Sequence, residues 1–398
     1  MNKKAAVIGV GETPYRTRTP ETFPELVYNA VQKALNDANM TIDEIDAVVF
    51  GMSPSEFMGV NEPHKWAVDA MGAIKKPLLR VHTGGATGGS AAQAGYWHVA
   101  SGMFKSVLVV AADKIGETPD AQLVLNTIWD PFYEKVFGLH TMTMTAFKAV
   151  RHMHKYGTTE EQMALVAVQA RKNAMNNPNA HLKGKITVED VLKSRVIAWP
   201  IKLYDSCPRS SGAAAVVIAN EEIARKKCEK PAWITGVAET ASTIYMGDRM
   251  GVKADMDYAD LDELMLAAKV AYKMAGIENP RKQIDVVEVY DPFTIITICS
   301  VEALGLCSKG EASKLYEQGY WAMDGEIPVN PSGGVLCSNP IAASGLVRVC
   351  DAALQVMGKA GKYQVKKEVH HAVATAVGGS FQFLTCTILS SDEALKRR

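Results

Sequence analysis

No stretch of this 398-residue chain holds the roughly 18 consecutive apolar residues that a membrane-spanning helix needs. An excess of one charge is also missing. Lys and Arg number 43 and so do Asp and Glu, so no basic field is present to hold nucleic acid or an anionic membrane. The seven cysteines, Cys207, Cys228, Cys299, Cys307, Cys337, Cys350 and Cys386, contain no C-x-x-C pair. Zinc ribbons and dithiol redox motifs are thereby excluded, and no metal set is expected. The N-terminal MNKKAAVIGVGE has too short an apolar run for a signal peptide. Together with the odd, scattered thiols this predicts a reducing, cytoplasmic location. Nucleotide fingerprints fail as well: GVGETP places Pro14 at its third glycine position, and GGATGGSA lacks the Lys-Ser/Thr ending of a P-loop.

What is present is a repeat. AAVIGVGETPY, from Ala5, matches AWITGVAETASTIY, from Ala232. Each copy continues with an amphipathic helix (LVYNAVQKALNDANM; LMLAAKVAYKMAGIE) and a strand (IDAVVFG; IDVVEVY). Each then passes a glycine-rich turn into a helix of small residues, HTGGATGGSAAQAGYWHVASG and NPSGGVLCSNPIAASGLVRVCDAALQVMG. Apolar strands follow, SVLVVAAD and HAVATAV. This order predicts an α/β fold of two similar halves. The expected division is 1–114 plus 205–222 for the first half, 115–204 for an insertion, and 230–398 for the second half. An insertion of about 90 residues is too long for a plain loop and predicts a helical cap over a ligand site. Helix starts are expected at Thr158-Thr159-Glu160-Glu161 and Thr187-Val188-Glu189-Asp190.

Four segments resemble the thiolase superfamily, and the likeness covers nearly the whole chain. DSCPRSSGAAAVVIAN is similar to C-P-x-S-D-G-A-A-A, with Ser211 where aspartate is usual. NPSGGVLCSNPIAASG is similar to N-P-x-G-G-x-x-x-x-G-H-P-I-G-A-S-G. HMHKYGTTEEQMALVAVQARKNAMNNP resembles the insertion of sterol-carrier-type and archaeal members, and VEVYDPFTIITICSVEALGLC resembles V-E-x-H-D-x-F. The resemblance implies a five-layer αβαβα fold, a tight homodimer and coenzyme A as co-substrate, with no covalently bound cofactor. It also implies cleavage or formation of the Cα–Cβ bond of a 3-oxoacyl-CoA. The archaeal-like branch implies a separate small partner with a zinc ribbon and an OB fold. The two glycine loops resemble those of the branch acting on benzoylsuccinyl-CoA, which implies an aromatic or branched substrate.

Thiolysis needs a nucleophile, oxyanion donors and an acid/base. Each usual side chain is replaced here. The resemblance puts Gly85 at the nucleophilic cysteine, Asn339 at the GHP histidine, and Thr375 or Ala376 at the C-terminal acid/base. It puts Tyr290 at the histidine of the H-D-x-F segment, followed by Asp291. Backbone at Gly84-Gly85 and Gly378-Gly379 retains the means to hold an oxyanion. Asn339 retains an N–H donor. Cys337 lies in the second glycine turn, two residues before Asn339, and two readings of it stay open: the relocated nucleophile, or a small pocket-lining residue. His82 is a further candidate base. Asp291 and Tyr290 are candidates for a polar role at a strand end, and Cys207 reads as structural. His152 and His154 read as helix packing. Of His370 and His371 at most one faces a site. Thr141-Met142-Thr143-Met144 reads as core rather than acyl pocket. The rival to an active enzyme is a non-catalytic acyl-CoA-binding or scaffold subunit.

Overall fold

The computed structural model describes residues 4–251, 254 and 256–396. The first half supplies strands β1 (Ala5–Glu12), β2 (Ala47–Gly51), β3 (Leu78–Val81), β4 (Ser106–Asp113) and β5 (Gly212–Asn220). The second supplies β6 (Ala232–Ala241), β7 (Val286–Glu288), β8 (His371–Gly378) and β9 (Phe383–Ser390). These nine strands form one mixed sheet in the order β3-β2-β4-β5-β1-β6-β9-β8-β7. Read outward from the centre, β1-β5-β4-β2-β3 is answered by β6-β9-β8-β7. A parallel bridge from Val287 to Val329 stands where β3 stands in the first half. The sequence repeat is therefore a repeat of topology. The halves join where β1 and β6 run antiparallel, Ala6 opposite Trp233 and Val7 opposite Ala232.

The principal helices are α1 (Phe23–Asp37), α2 (Thr87–Ala100), α3 (Thr141–Tyr156), α4 (Glu160–Ala174), α5 (Asp262–Ala275) and α6 (Ile341–Met357). Amphipathic α1 and α5 lie on the outer faces, α1 on β1 and β5, α5 on β6 and β9. Helices α2 and α6 pack on each other and on strands of both halves, at the centre. This gives the expected αβαβα layering. Strands β4 and β5 are buried on both faces, which explains why SVLVVAAD and GAAAVVIAN read as continuous apolar runs rather than alternating ones. The insertion carries α3, α4 and a two-strand ribbon, Val196–Ala198 with Ile201–Lys202. Thr159 caps α4 and Thr187 caps a short helix at Val188–Lys193, as their hydroxyl spacing predicts. Among the described residues no helix is long and apolar enough to cross a membrane.

Small residues are what bring the central helices together. A Cβ at Gly88 would lie 2.2 Å from the Leu346 nitrogen, and one at Gly345 would lie 2.7 Å from the Gly89 nitrogen. The obstacles are backbone and cannot swing aside. Both catalytic-looking turns lead into these two helices, so their approach sets the distance between the turns. Gly88→Ala is expected to cost about 1–3 kcal/mol or more by overpacking. A thermal melt would show this as a lowered Tm, and an unchanged Tm would mean the helices do not touch at Gly88.

Candidate active site

Tyr290 follows the end of β7, and its neighbours fix it at successive residues. The Val289 N–H donates to Asn330 Oδ1 at 2.7 Å, and the Tyr290 N–H donates to Thr375 Oγ1 at 3.0 Å. Asp291 Oδ1 accepts from the Val335 N–H at 2.7 Å, and its Oδ2 accepts from Thr297 at 3.2 Å. The phenol reaches a cavity of about 800 Å³ bounded by both glycine turns and by the insertion. Burial, and secondarily Cys207, pushes the Tyr290 hydroxyl well above its ordinary range. It is a neutral proton donor at physiological pH.

The Gly84-Gly85 turn and the Gly378-Gly379 loop meet backbone to backbone beside this phenol. A Cβ on Gly378 would sit 2.1 Å from the Thr83 oxygen, and one on Gly84 2.9 Å from the Gly379 nitrogen. Gly84 and Gly379 both adopt φ of 61°, a left-handed conformation that favours glycine. At Gly85 a Cβ would meet the Val377 oxygen at 2.5 Å and the Tyr290 hydroxyl at 2.8 Å. The space next to Gly85 thus belongs to the phenol. The Gly378-Gly379 loop is held by Arg249, a residue sequence reading missed. Its guanidinium donates to the Ser380 carbonyl at 2.7 Å and the Phe381 carbonyl at 3.0 Å.

Asn339 and Cys207 form the opposing polar pair on the cavity wall. The Ser344 hydroxyl donates to Asn339 Oδ1 at 2.8 Å, which turns the amide nitrogen toward Cys207 Sγ, 3.1 Å away. Burial pushes the Cys207 thiol up to about 12. His82 also lines the cavity. Burial, then Arg80, lowers its pKa, so it is a neutral base.

Gly84, Gly85, Gly378, Gly379, Tyr290, Asn339 and His82 therefore converge on one cavity. Three other candidates do not. Cys337 has no exposed surface, lies outside the cavity wall, and has its thiol pushed up to about 12 by burial. The thiol expected as a displaced nucleophile is thus buried and set apart from the cavity wall. Asp291, which burial pushes up to about 7, braces the Val335 turn rather than holding a water in the cavity. Thr375 Oγ1 accepts from the Tyr290 N–H. Cys207, read as structural, is on the wall, and Thr141, Met142 and Met144 line the cavity, where Met144 also belongs to the buried core and Met142 packs against it. His152 is buried between Thr158 and Glu302, as helix packing predicts. His370 lies in a surface group with Glu368 and Glu393, none of them lining the cavity.

Comparison with known proteins decides the family. Residues 6–222 match the thiolase N-terminal domain and residues 248–391 the thiolase C-terminal-domain-like family. The chain belongs to the thiolase family. It is 35% identical to the acetyl-CoA acetyltransferase of Methanothermobacter thermautotrophicus, over 92% of this chain and 94% of that protein. It is 29% identical to benzoylsuccinyl-CoA thiolase subunit BbsB of Thauera aromatica, over 95% and 96% of the two chains. Among solved structures it is similar to an Ltp2-ChsH2(DUF35) aldolase, with a TM-score of 0.83 and 28% identity, covering 98% of this chain and 99% of that one. The sequence resemblance to thiolases, sterol-carrier-type members included, is borne out.

The crowding at Gly85 gives a graded expectation. Gly85→Ala should lower the Tm, by an overpacking cost of about 1–3 kcal/mol. Adding Tyr290→Phe removes the 2.8 Å contact but leaves the Val377 oxygen at 2.5 Å, so the double variant should recover only part of the loss. Full stability of Gly85→Ala would show that position 85 has room for a side chain.

Proposed function

We propose that this thiolase-family chain makes or breaks the Cα–Cβ bond of a coenzyme A thioester through an enolate, without an acyl-enzyme at position 85. The observation that carries this is the Tyr290 hydroxyl standing 2.8 Å from where a Gly85 side chain would begin. In the bond-forming direction the enolate carbon attacks a carbonyl. The new bond forms, the carbonyl π pair moves to oxygen, and that oxygen takes the Tyr290 proton. Cleavage is the reverse: a 3-hydroxyl passes its proton through the neutral Tyr290 hydroxyl to His82, the Cα–Cβ bond breaks, and the electron pair becomes the enolate, which His82 then protonates. The α-proton exchanges with a base on the wall, the part given to His82. The second amide hydrogen of Asn339 and the glycine-turn backbone are the donors for the thioester enolate oxygen.

This chemistry suits a 3-hydroxyacyl-CoA, which needs no nucleophile to fragment. The similar Ltp2-ChsH2(DUF35) protein is an aldolase, which supports it. Acyl transfer from a 3-oxoacyl-CoA, supported by the two acyltransferase relatives, has Cys207 as the thiol on the wall in place of residue 85. The acyl group is bulky and apolar. Leu125, Ile128, Met142, Phe293, Ile341 and Phe381 line the cavity, and its volume exceeds what an acetyl group fills. Exposed Arg195 and Arg209 line it too and suit the phosphates of coenzyme A. A homodimer core and a separate small zinc-ribbon subunit with an OB fold complete the reading. The DUF35 protein in the aldolase complex supports the small partner.

The test is Tyr290→Phe, which deletes one oxygen and keeps the ring. Assayed with a panel of 3-hydroxyacyl- and 3-oxoacyl-CoA esters, kcat should fall about 10²–10³-fold, as for loss of a preorganised donor. KM should change little. Undiminished turnover in Tyr290→Phe would remove the phenol from the reaction. Tight binding with no turnover of any ester in the wild-type chain would favour the scaffold reading.

A further inference from the structure

Asn339 is held at the cavity wall through its backbone as well as its side chain. The Ser210 N–H donates to the Asn339 carbonyl and the Asn339 N–H donates to Ser210 Oγ, both at 3.1 Å. Ser210 has no exposed surface, so its own hydroxyl proton needs a protein acceptor. His181 Nδ1 lies 2.9 Å from that oxygen. Among the described contacts of Ser210 Oγ, Nδ1 is the one that can accept its proton, so the hydroxyl points at Nδ1. That fixes the ring as the Nε2–H tautomer, whose proton faces Thr17 Oγ1 at 3.2 Å. The same residue ties down the turn through its backbone: the His181 N–H donates to Ser338 Oγ at 3.0 Å, and the Leu182 N–H to the Cys337 carbonyl at 2.9 Å.

We propose that His181 is a positioning residue: its unprotonated Nδ1 takes the Ser210 proton, which aims the Ser210 oxygen at Asn339 and holds that amide against the cavity. This rests on the role given to Asn339 above. Protonation of Nδ1 would set one donor against another. The Ser210 proton would then be stranded in a buried site, a loss comparable to an unsatisfied hydroxyl. Neighbours that touch the ring from the β1 loop (Thr17) and from the turn before β5 (Ser210) are uncharged. Among the described residues the charged group acting on the ring is Arg171 of α4, which with burial lowers the His181 pKa. The neutral ring, and the relay with it, is therefore kept at neutral pH and lost as pH falls through that lowered value.

Two measurements on the full chain separate this idea from the reaction it serves. The first uses protein with ¹⁵N-imidazole histidine and no substrate, the His181 signal assigned by its loss in His181→Gln. The expected result is an Nε2–H tautomer titrating below the ordinary histidine value. An Nδ1–H tautomer, or titration at or above the ordinary value, overturns the proposal whether or not the chain turns over a thioester. The second is the pH profile of whichever CoA ester is cleaved. His181→Phe should lower kcat about tenfold, as for a lost buried hydrogen bond, with KM nearly unchanged. His181→Gln, whose carbonyl can still accept from Ser210, should restore most of the rate and lose the acid limb. An unchanged acid limb in His181→Gln overturns the relay, and absence of all turnover overturns the reaction while the tautomer still decides on His181.

Discussion

The backbone contact between the Gly84-Gly85 turn and the Gly378-Gly379 loop governs this site. Thr83 and Gly378 meet so closely that neither Gly84, Gly85 nor Gly378 has room for a Cβ. A side chain from the first turn would have to displace the carbonyl of Val377 or the hydroxyl of Tyr290. The groups proposed to react come from other elements: a phenol after β7, an amide from the turn before α6, and an imidazole from the residue after β3. Small residues of α2 let its turn approach the end of β8: a Cβ at Gly89 would lie 2.8 Å from the Ala376 Cβ.

Around that contact the site is rigid and nearly neutral. Hydrogen bonds at residues 289, 290 and 291 leave the Tyr290 ring little freedom. Arg249 fixes the loop after Gly378-Gly379 at Ser380 and at Phe381, whose φ is 63°. Behind it a fully buried Arg348 pairs with Glu288 at 2.6 Å and with Asp351 at 2.9 Å. This ties α6 to β7 through charges that would be costly if unpaired. Burial raises the thiols and the phenol and lowers His82. The wall therefore presents a proton donor and a neutral base rather than a thiolate. Such a site favours enolate chemistry over attack by sulfur.

The duplication was legible because each half repeats the same alternation of amphipathic helix, buried strand and glycine turn. Fold class and family followed from it and from four motif segments. Much of the site was legible too, since Gly85, Tyr290 and Asn339 occupy motif positions. The chemistry of the cysteines was not. Cys337 and Asn339 are two residues apart in one turn, and only the path of that turn buries the first and exposes the second to the cavity. Cys207 sits 132 positions from Asn339 along the chain, yet their side chains touch. A usable signal existed in the pair Gly85 and Tyr290: a side chain shrinks at one motif position while another grows, as two groups sharing one space require. His181 carried no motif. Its role depends on the Ser210 hydroxyl lying between it and Asn339, which spacing does not encode.

The most direct test of the central claim is intact-protein mass spectrometry on chain quenched during turnover of a CoA ester, followed by peptide mapping. The account predicts unmodified protein, with no acyl group on Cys207, Cys337 or any other cysteine, while product accumulates. A kinetically competent acyl-cysteine, at Cys207 above all, would contradict it and return the chain to covalent thiolysis with a nucleophile outside the first glycine turn.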